Sequence, residues 1–399
     1  MSAQIVYNEV RDLIKQHVDA QVDTSTLERL ALVVIGMIRA DDAAPARIAR
    51  AIDQLGLSGA TPESIERRIR RFENDTEVSA ALCFHPLARE RLCWGRADEL
   101  LLVLDPTTQD DRIVMVSIAV WYRGRALPLA WAIWPGNTPL EGLRFWERID
   151  ALLELVASLL PVDVSVTWLA DRAFGTACFT DLLTKRHWHY VIRVQDQTIC
   201  RDSQGRERRV RQLVCLPGQR SKLHGEVFKK RGWRHVQVVV YWGSRHKRPL
   251  CLISDQGAHW YLIHLYRRRY PIEATFRDYK SSGWQWEKGQ VVNLEHVERL
   301  LVGMALATWL ALMTGTQVAV ELLAQPPTGR RRTIPPEGKY SLFQLGLFRL
   351  QKLLSSNYTV PLCWQLTDWN APNWREQIRS HHVHAFILAG RCRRKTIDA

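Results

Sequence analysis

The chain is poor in acid and has no paired cysteines. Its 41 Asp and Glu stand against 55 Lys and Arg, a formal net charge of +14 over 399 residues. That surplus favours a polyanionic partner, with nucleic acid ahead of a membrane surface. The eight cysteines are scattered, none in C-x2-C and none with a zinc-site histidine spacing. A disulfide framework and a zinc ribbon are thereby set aside, and reduced thiols in the cytoplasm are expected. There is no Walker loop, no G-x-S-x-G and no H-E-x-x-H, so three common hydrolase chemistries lack their signatures. No internal repeat occurs. Met1 to Lys15 carries acidic residues and no apolar core of a signal peptide, so no leader is expected. Leu300 to Val320 is uncharged for 21 residues, long enough to span a bilayer, but its two Gly, three Thr and one Gln read better as a buried helix.

Residues 1–90 read as helical. Leu30 to Ile38 is an apolar run. PARIARAIDQL is amphipathic, and LGLSGA makes a turn. Thr61 then suits an N-cap and Pro62 a first helical position. The helix they start is rich in arginine, with Arg67, Arg68 and Arg71 among its residues. Two short helices around a Gly-containing turn fit either a helix-turn-helix or a small bundle with a basic face. From Glu99 the pattern changes. LLLVLD (100–105) is a continuous apolar run, as in a strand buried on both faces. Two further strands (112–123 and 125–136) follow around a turn near Gly124. A long helix (139–160), a buried strand (162–171), a helix and a last strand (189–194) complete the order βββαβαβ. That order predicts an RNase H-like α/β core. Its first and fourth strands are parallel neighbours ending in Asp105 and Asp171, so the two carboxylates are expected side by side.

Between Arg201 and Leu250 stand 14 Lys/Arg against 3 Asp/Glu, a surplus of +11, with Phe228, Trp233, Tyr241 and Trp242 interleaved. Cations bind phosphates and flat rings stack on unpaired bases. Arg208, Arg209, Lys229, Lys230 and Arg231 are candidate DNA-binding residues in this β-rich stretch. PLCLISD (249–255) returns to the core. A Pro-rich basic linker (324–339) and an amphipathic helix (341–354) follow. The close histidines of HHVH (381–384) read as a surface segment.

The most informative stretch is LYRRRYPIEATFRDYKSSG, 265–283. Pro271 suits the first turn of a helix. On a regular α-helix Glu273, Arg277 and Lys280 share a face, and the two cations hold the carboxylate ionised. The spacing Tyr266-x2-Arg269-x3-Glu273-x6-Lys280 resembles the Tyr-Arg-Glu-Lys signature of one group of DDE transposases of bacterial insertion sequences. LLVLDPTT around Asp105 and WLADRAFG around Asp171 are similar to that family's two aspartate blocks.

The resemblance implies a catalytic, metal-holding triad of Asp105, Asp171 and Glu273. Hard oxygen ligands suit Mg²⁺, which keeps few protein ligands. Two such ions would serve an in-line displacement, and Mn²⁺ is expected to substitute. Tyr266, Arg269 and Lys280 would grip terminal phosphates, with Arg277 and Arg172 as further candidates. The gap between Asp171 and Glu273 leaves room for the β-rich insertion of this group. Two departures stand out. Pro106 follows the first Asp, and the strand leading back from the insertion has no Trp for a flipped base, leaving Trp242 as the nearest candidate.

The implied organisation is an N-terminal helical DNA-binding domain (1–90), an RNase H-like core in two parts (91–194 and 251–323), a basic insertion (195–250) and a C-terminal linker and helical region (324–399). The implied activity is cut-and-paste transposition on double-stranded DNA. It would bind the element's inverted repeats, cleave them and join the 3′ ends to target DNA. A homodimer or higher assembly would form at synapsis, in the cytoplasm at the nucleoid. The alternatives are an RNase H-fold nuclease without strand transfer and a non-catalytic DNA-binding descendant.

Overall fold

The computed structural model describes residues 2–94, 97–138, 140, 142–324, 336–356, 360–367, 369 and 371–380. HHVH (381–384), the basic C-terminal tail and most of the Pro-rich linker lie outside the described residues.

Six helices open the chain: α1 (Ser2–His17), α2 (Thr24–Ala40), α3 (Pro45–Gln54), α4 (Pro62–Glu73), α5 (Ala80–Cys83) and α6 (His85–Trp94). The expected N-terminus of α4 is present. Thr61 is its cap, with Pro62 in the first turn. The apolar stripe Ile65, Ile69 and Phe72 is buried, while Arg67, Arg68 and Arg71 are exposed.

The sheet begins with β1 (Glu99–Gln109), β2 (Ile113–Tyr122) and β3 (Arg125–Pro135). The β2–β3 hairpin turns at Arg123 and Gly124, with φ of 46° and 87°. Two successive positive φ values give the twist that matches paired strands. Next come α7 (Gly142–Leu159), β4 (Ser165–Ala170), α8 (Ala177–Lys185) and β5 (His189–Arg193). The basic stretch supplies β6 (Ile199–Asp202), β7 (Glu207–Arg209), β8 (Arg220–Val227) and β9 (Arg234–Tyr241), and β10 (Leu250–Ser254) follows. Helices α9 (Tyr261–Arg267), α10 (Pro271–Arg277), α11 (Leu294–Ala324) and α12 (Leu342–Ser355) complete the fold.

All ten strands form one sheet, in the order β3-β2-β1-β4-β5-β10-β9-β8-β6-β7. β1 pairs antiparallel with β2 and parallel with β4, and β4 pairs parallel with β5. The first five strands therefore have the RNase H-like arrangement. The basic stretch extends that same sheet through β10 and β9.

Edge strand β3 is closed by side chains. Thr275 of α10 donates to the Ala126 carbonyl (2.9 Å), and the Trp309 indole of α11 donates to the Pro128 carbonyl (2.7 Å). These bonds satisfy backbone acceptors that an open edge would expose. Pro128 sits where a missing N–H costs the ladder least.

Helix α11 is the hub. Its length and apolarity would suit a membrane, yet 94% of its apolar window is buried inside the protein. It packs on α2, α12 and β3. Its crossing with α12 is glycine on glycine. A Cβ at Gly315 would lie 1.9 Å from the Leu342 carbonyl oxygen, and one at Gly346 only 1.6 Å from that of Ala311.

Candidate active site

The β1–β4 register ends with Leu104 opposite Ala170. Asp105 and Asp171 are the next residues on the two strands, so they emerge together at one end of the sheet. Asp105 is not the last residue of β1, as the apolar run suggests. The strand continues to Gln109, paired to β2 alone. Pro106 therefore sits past the last residue bonded to β4. Its missing N–H interrupts nothing on that side.

After Asp171 the chain makes a single tight turn, Arg172–Phe174. Phe174 is buried and anchors the turn. Gly175 passes so close to β5 that an added Cβ would lie 2.4 Å from the Arg193 carbonyl oxygen. Glycine in WLADRAFG thus lets the turn after Asp171 rest directly on the neighbouring strand.

Glu273 reaches the aspartates through Arg269. One guanidinium nitrogen donates to Asp105 Oδ2 (2.9 Å) and another to Glu273 Oε1 (2.7 Å). Arg269 is buried, whereas Glu273 is exposed. The Asp105 carboxyl is pushed up to about 6. Burial is the main cause. Arg269 opposes it, and the like charges of Asp171 and Glu273 add to it. The three carboxylates thus share one electrostatic environment. Arg269 is held charged despite its burial, because Asp105 and its neighbours outweigh the lost hydration.

Tyr266 is buried at 2% exposure, and its hydroxyl has no hydrogen-bond partner. Burial raises that phenol, and Asp171 raises it further. Asp171 Oδ1 is buried as well, without a hydrogen bond. The nearest cation is the Arg193 guanidinium, 3.8 Å away.

Arg193 is absent from the residues that the sequence pattern points to, although its signal was there. β5 lies parallel to β4 with Ile192 opposite Ala170, which sets Arg193 beside Asp171. Next to it opens a cleft of about 500 Å³, lined among others by Arg193, Arg248, Arg267 and Tyr270.

The expected face of Glu273, Arg277 and Lys280 is broken after Arg277, and Lys280 leaves it. α10 ends at Arg277, and Asp278–Ser282 is wound as a π-helix. The wider turn shifts the phase of everything after it. Lys280 pairs with Glu287 (3.2 Å) instead. Arg277 lines a different cleft, beside Arg125 and Asp278. The cation next to Glu273 is Arg269, one turn earlier.

The remaining candidates are spread out. Arg172 is exposed beside Asp171, while Arg67, Arg68 and Arg71 lie on α4. In the basic strands Arg208 pairs with Asp202 (2.9 Å) and Lys229 with Glu207 (2.5 Å). Arg209, Lys230 and Arg231 are exposed. Trp242 is half-buried in the loop after β9, its indole N–H donating to the His246 carbonyl (2.8 Å).

Residues 148–310 match the family described as the transposase DDE domain. The matched stretch contains Asp171, Tyr266, Arg269, Glu273 and Lys280, and it begins after Asp105. No curated protein matches the chain. Among solved structures, the chain is similar to a piggyBac transposase in a synaptic complex with hairpin DNA. Identity is 10% and the TM-score 0.40, over 89% of this chain and 86% of that one.

Proposed function

We propose, for a chain that belongs to the DDE transposases, cut-and-paste transposition of an insertion sequence. The protein would bind the inverted-repeat ends of its element, cleave there, and join the freed 3′ ends to target DNA. The observation that carries this reading is the convergence of Asp105, Asp171 and, through Arg269, Glu273. Arg193, Arg248 and Arg267 line the cleft beside them and suit a polyanionic substrate.

The donor set fits a hard divalent cation. It offers carboxylate oxygens only, one of them, Asp171 Oδ1, buried without a hydrogen-bond partner. Burial and like charge both oppose ionisation of Asp105, and a cation would relieve both. Among the described residues no three such groups already close around one point. Arg269 stands between Asp105 and Glu273 instead. Asp105, Asp171 and Glu273 would hold Mg²⁺, or Mn²⁺ in its place, once Arg269 turned aside. Such ions supply Lewis-acid stabilisation of phosphoryl oxygens and an activated water.

The protein's own groups would do the rest. Arg269, released from the carboxylates, has a planar fork that matches a phosphate. Arg193 stands beside Asp171 to meet a second phosphate oxygen. The Tyr270 ring lies against Arg269, its centroid 5.6 Å from the guanidinium, and would steady its approach, while Tyr266 beside it would offer its unpartnered hydroxyl to the same phosphate. Each chemical step exchanges one P–O bond for another, so no nucleophilic side chain is needed. Water opens the element end, and the 3′-hydroxyl it leaves attacks the target. Two ends must meet, which calls for a dimer or larger assembly on DNA, working at the nucleoid.

The test is substitution of the carboxylates. Asp105→Asn, Asp171→Asn and Glu273→Gln should each abolish cleavage of DNA carrying the element's ends while binding to it persists. Cleavage retained by any one of them removes that residue from the triad. Cleaved ends that never join a target would reduce the protein to a nuclease.

A further inference from the structure

A second cleft, of about 240 Å³, lies between the β2–β3 turn, α10, the start of α12 and residues 373–375. Four arginines line it: Arg123, Arg125, Arg277 and Arg375. Asp278 is the one carboxylate among its lining residues. These arginines come from three distant parts of the chain, so the concentration of charge is a product of the fold.

Two of the four are fixed. Arg125 is buried and ion-paired with Asp278, and Arg123 donates to Gln377 Oε1 (2.6 Å). Arg277 and Arg375 are exposed at the mouth. Burial, and then the nearby Arg375 and Arg277, pull the Arg125 guanidinium down to about 10. One carboxylate therefore does not neutralise the group, and an anion would. The N-terminus of α12 opens on the same cleft, through Ser341 and Leu342, and adds partial positive charge.

Shared lining residues link this cleft to the one beside Arg193. The cleft beside Asp171 shares Arg267 and Tyr270 with a middle one of about 570 Å³. The middle one shares Ala274 and Asn373 with the arginine cleft. Basic residues thus line three neighbouring clefts, from Arg193, 3.8 Å from Asp171, to Arg277 at the end of α10. From Glu273 to Arg277 the helix rises about 6 Å. That is about two nucleotides of one strand.

We propose that this arginine cleft is a second phosphate site, which holds a backbone phosphate of the DNA strand running past the carboxylates. The proposal rests on the reading of the protein as a transposase. It moves Arg277 from the scissile phosphate, where the sequence motif suggests it, to a neighbouring one.

The test is the salt dependence of binding to a DNA duplex of arbitrary sequence, with the full-length chain. Arg277→Gln with Arg375→Gln should weaken binding at least tenfold near 100 mM salt. The slope of log K against log salt should flatten by about 0.9, the value for one phosphate no longer neutralised. Arg277→Lys with Arg375→Lys should restore most of the slope. If the double Gln variant fails to fold, Arg375→Gln alone serves, and the slope should then flatten by up to about 0.9. An unchanged slope overturns the proposal, and so does a Lys pair as impaired as the Gln pair. If the slope falls but the carboxylate variants still cleave, the transposase reading fails and the cleft stands. If the slope holds while those variants lose cleavage, the cleft alone is wrong.

Discussion

The Arg269 guanidinium donates to Asp105 at 2.9 Å, joining two residues 164 positions apart, both buried. Each is costly to bury alone, and each is tolerated because of the other. Removing the cation leaves Asp105 against the charges of Asp171 and Glu273. Arg269→Gln should therefore destabilise the fold by about 3 kcal/mol, the usual scale for breaking a buried pair. Arg269→Lys should lose less, because it keeps the charge but not the fork that spans both carboxylates. Denaturant unfolding of the three proteins checks the order. Equal stability for wild type and the Gln variant would show that the pair does not hold the site together.

The same arginine leads to a divalent-cation prediction. If Mg²⁺ takes the place of Arg269 between the carboxylates, binding should raise the melting temperature of the wild type. The increment should be lost in Asp105→Asn and Asp171→Asn. It should persist, or grow, in Arg269→Gln, where no cation competes for the oxygens. Melting curves at increasing Mg²⁺ measure this without any DNA. An increment unchanged in the aspartate variants would place the ion elsewhere.

How far the site was legible follows from where each residue's position is decided. Asp105 and Asp171 could be read because a strand order and an apolar run fix both, and the fold supplies their register. Arg193 could have been read by the same register. Lys280 could not, because its place depends on the π-helical turn at Asp278–Ser282, which no residue pattern announces. The arginine cleft is also invisible in the sequence. Arg123, Arg277 and Arg375 meet only because the β2–β3 hairpin, α10 and the segment near Asn373 pack together. The basic stretch was visible as charge, but its internal ion pairs were not.

Those pairs sort the cations of β6–β9. Arg208 and Lys229 are already engaged by Asp202 and Glu207, whereas Arg209, Arg211, Lys230 and Arg231 are exposed. A cation that must leave a carboxylate to meet a phosphate gains less from DNA. Substituting Arg209, Arg211, Lys230 and Arg231 together with Gln should flatten the salt slope by up to about 0.9 per residue. Substituting Arg208 and Lys229 should change it less per residue. DNA binding titrated at several salt concentrations gives both slopes. Equal effects per residue would mean that the ion pairs open freely.

Stability against pH should report on Glu73, at the end of α4. Its side chain is buried, and one carboxylate oxygen has no partner. Burial raises its carboxyl from 4.5 to about 7, with Arg70 opposing. A raised carboxyl binds its proton more tightly when folded. Between about pH 4.5 and 7 the folded state therefore holds a proton that the unfolded state has lost, and stability falls as pH rises. Glu73→Gln keeps the shape and removes the charge. It should stabilise the protein at about pH 8, by at most about 3 kcal/mol, and change little at about pH 4. A gain that is the same at both pH values would rule out titration as the cause.

The crossing of α11 and α12 gives the sharpest structural prediction. Each helix packs against the other's backbone at a glycine, and a Cβ on Gly346 would fall 1.6 Å from the Ala311 carbonyl oxygen. That neighbour is backbone, so no side chain can swing away to make room. Gly346→Ala must push α12 off the hub helix. The loss should be at least about 1–3 kcal/mol, the range for overpacking a close-packed interior. Gly56→Ala is the control, since it meets nothing within 4 Å and suffers only from its positive φ of 64°. Because α11 also buttresses edge strand β3 through Trp309, the Gly346 variant should loosen the β3 edge as well. Faster hydrogen exchange at Gly346→Ala in both α12 and β3 checks this, and exchange confined to α12 would show that the hub does not transmit the strain.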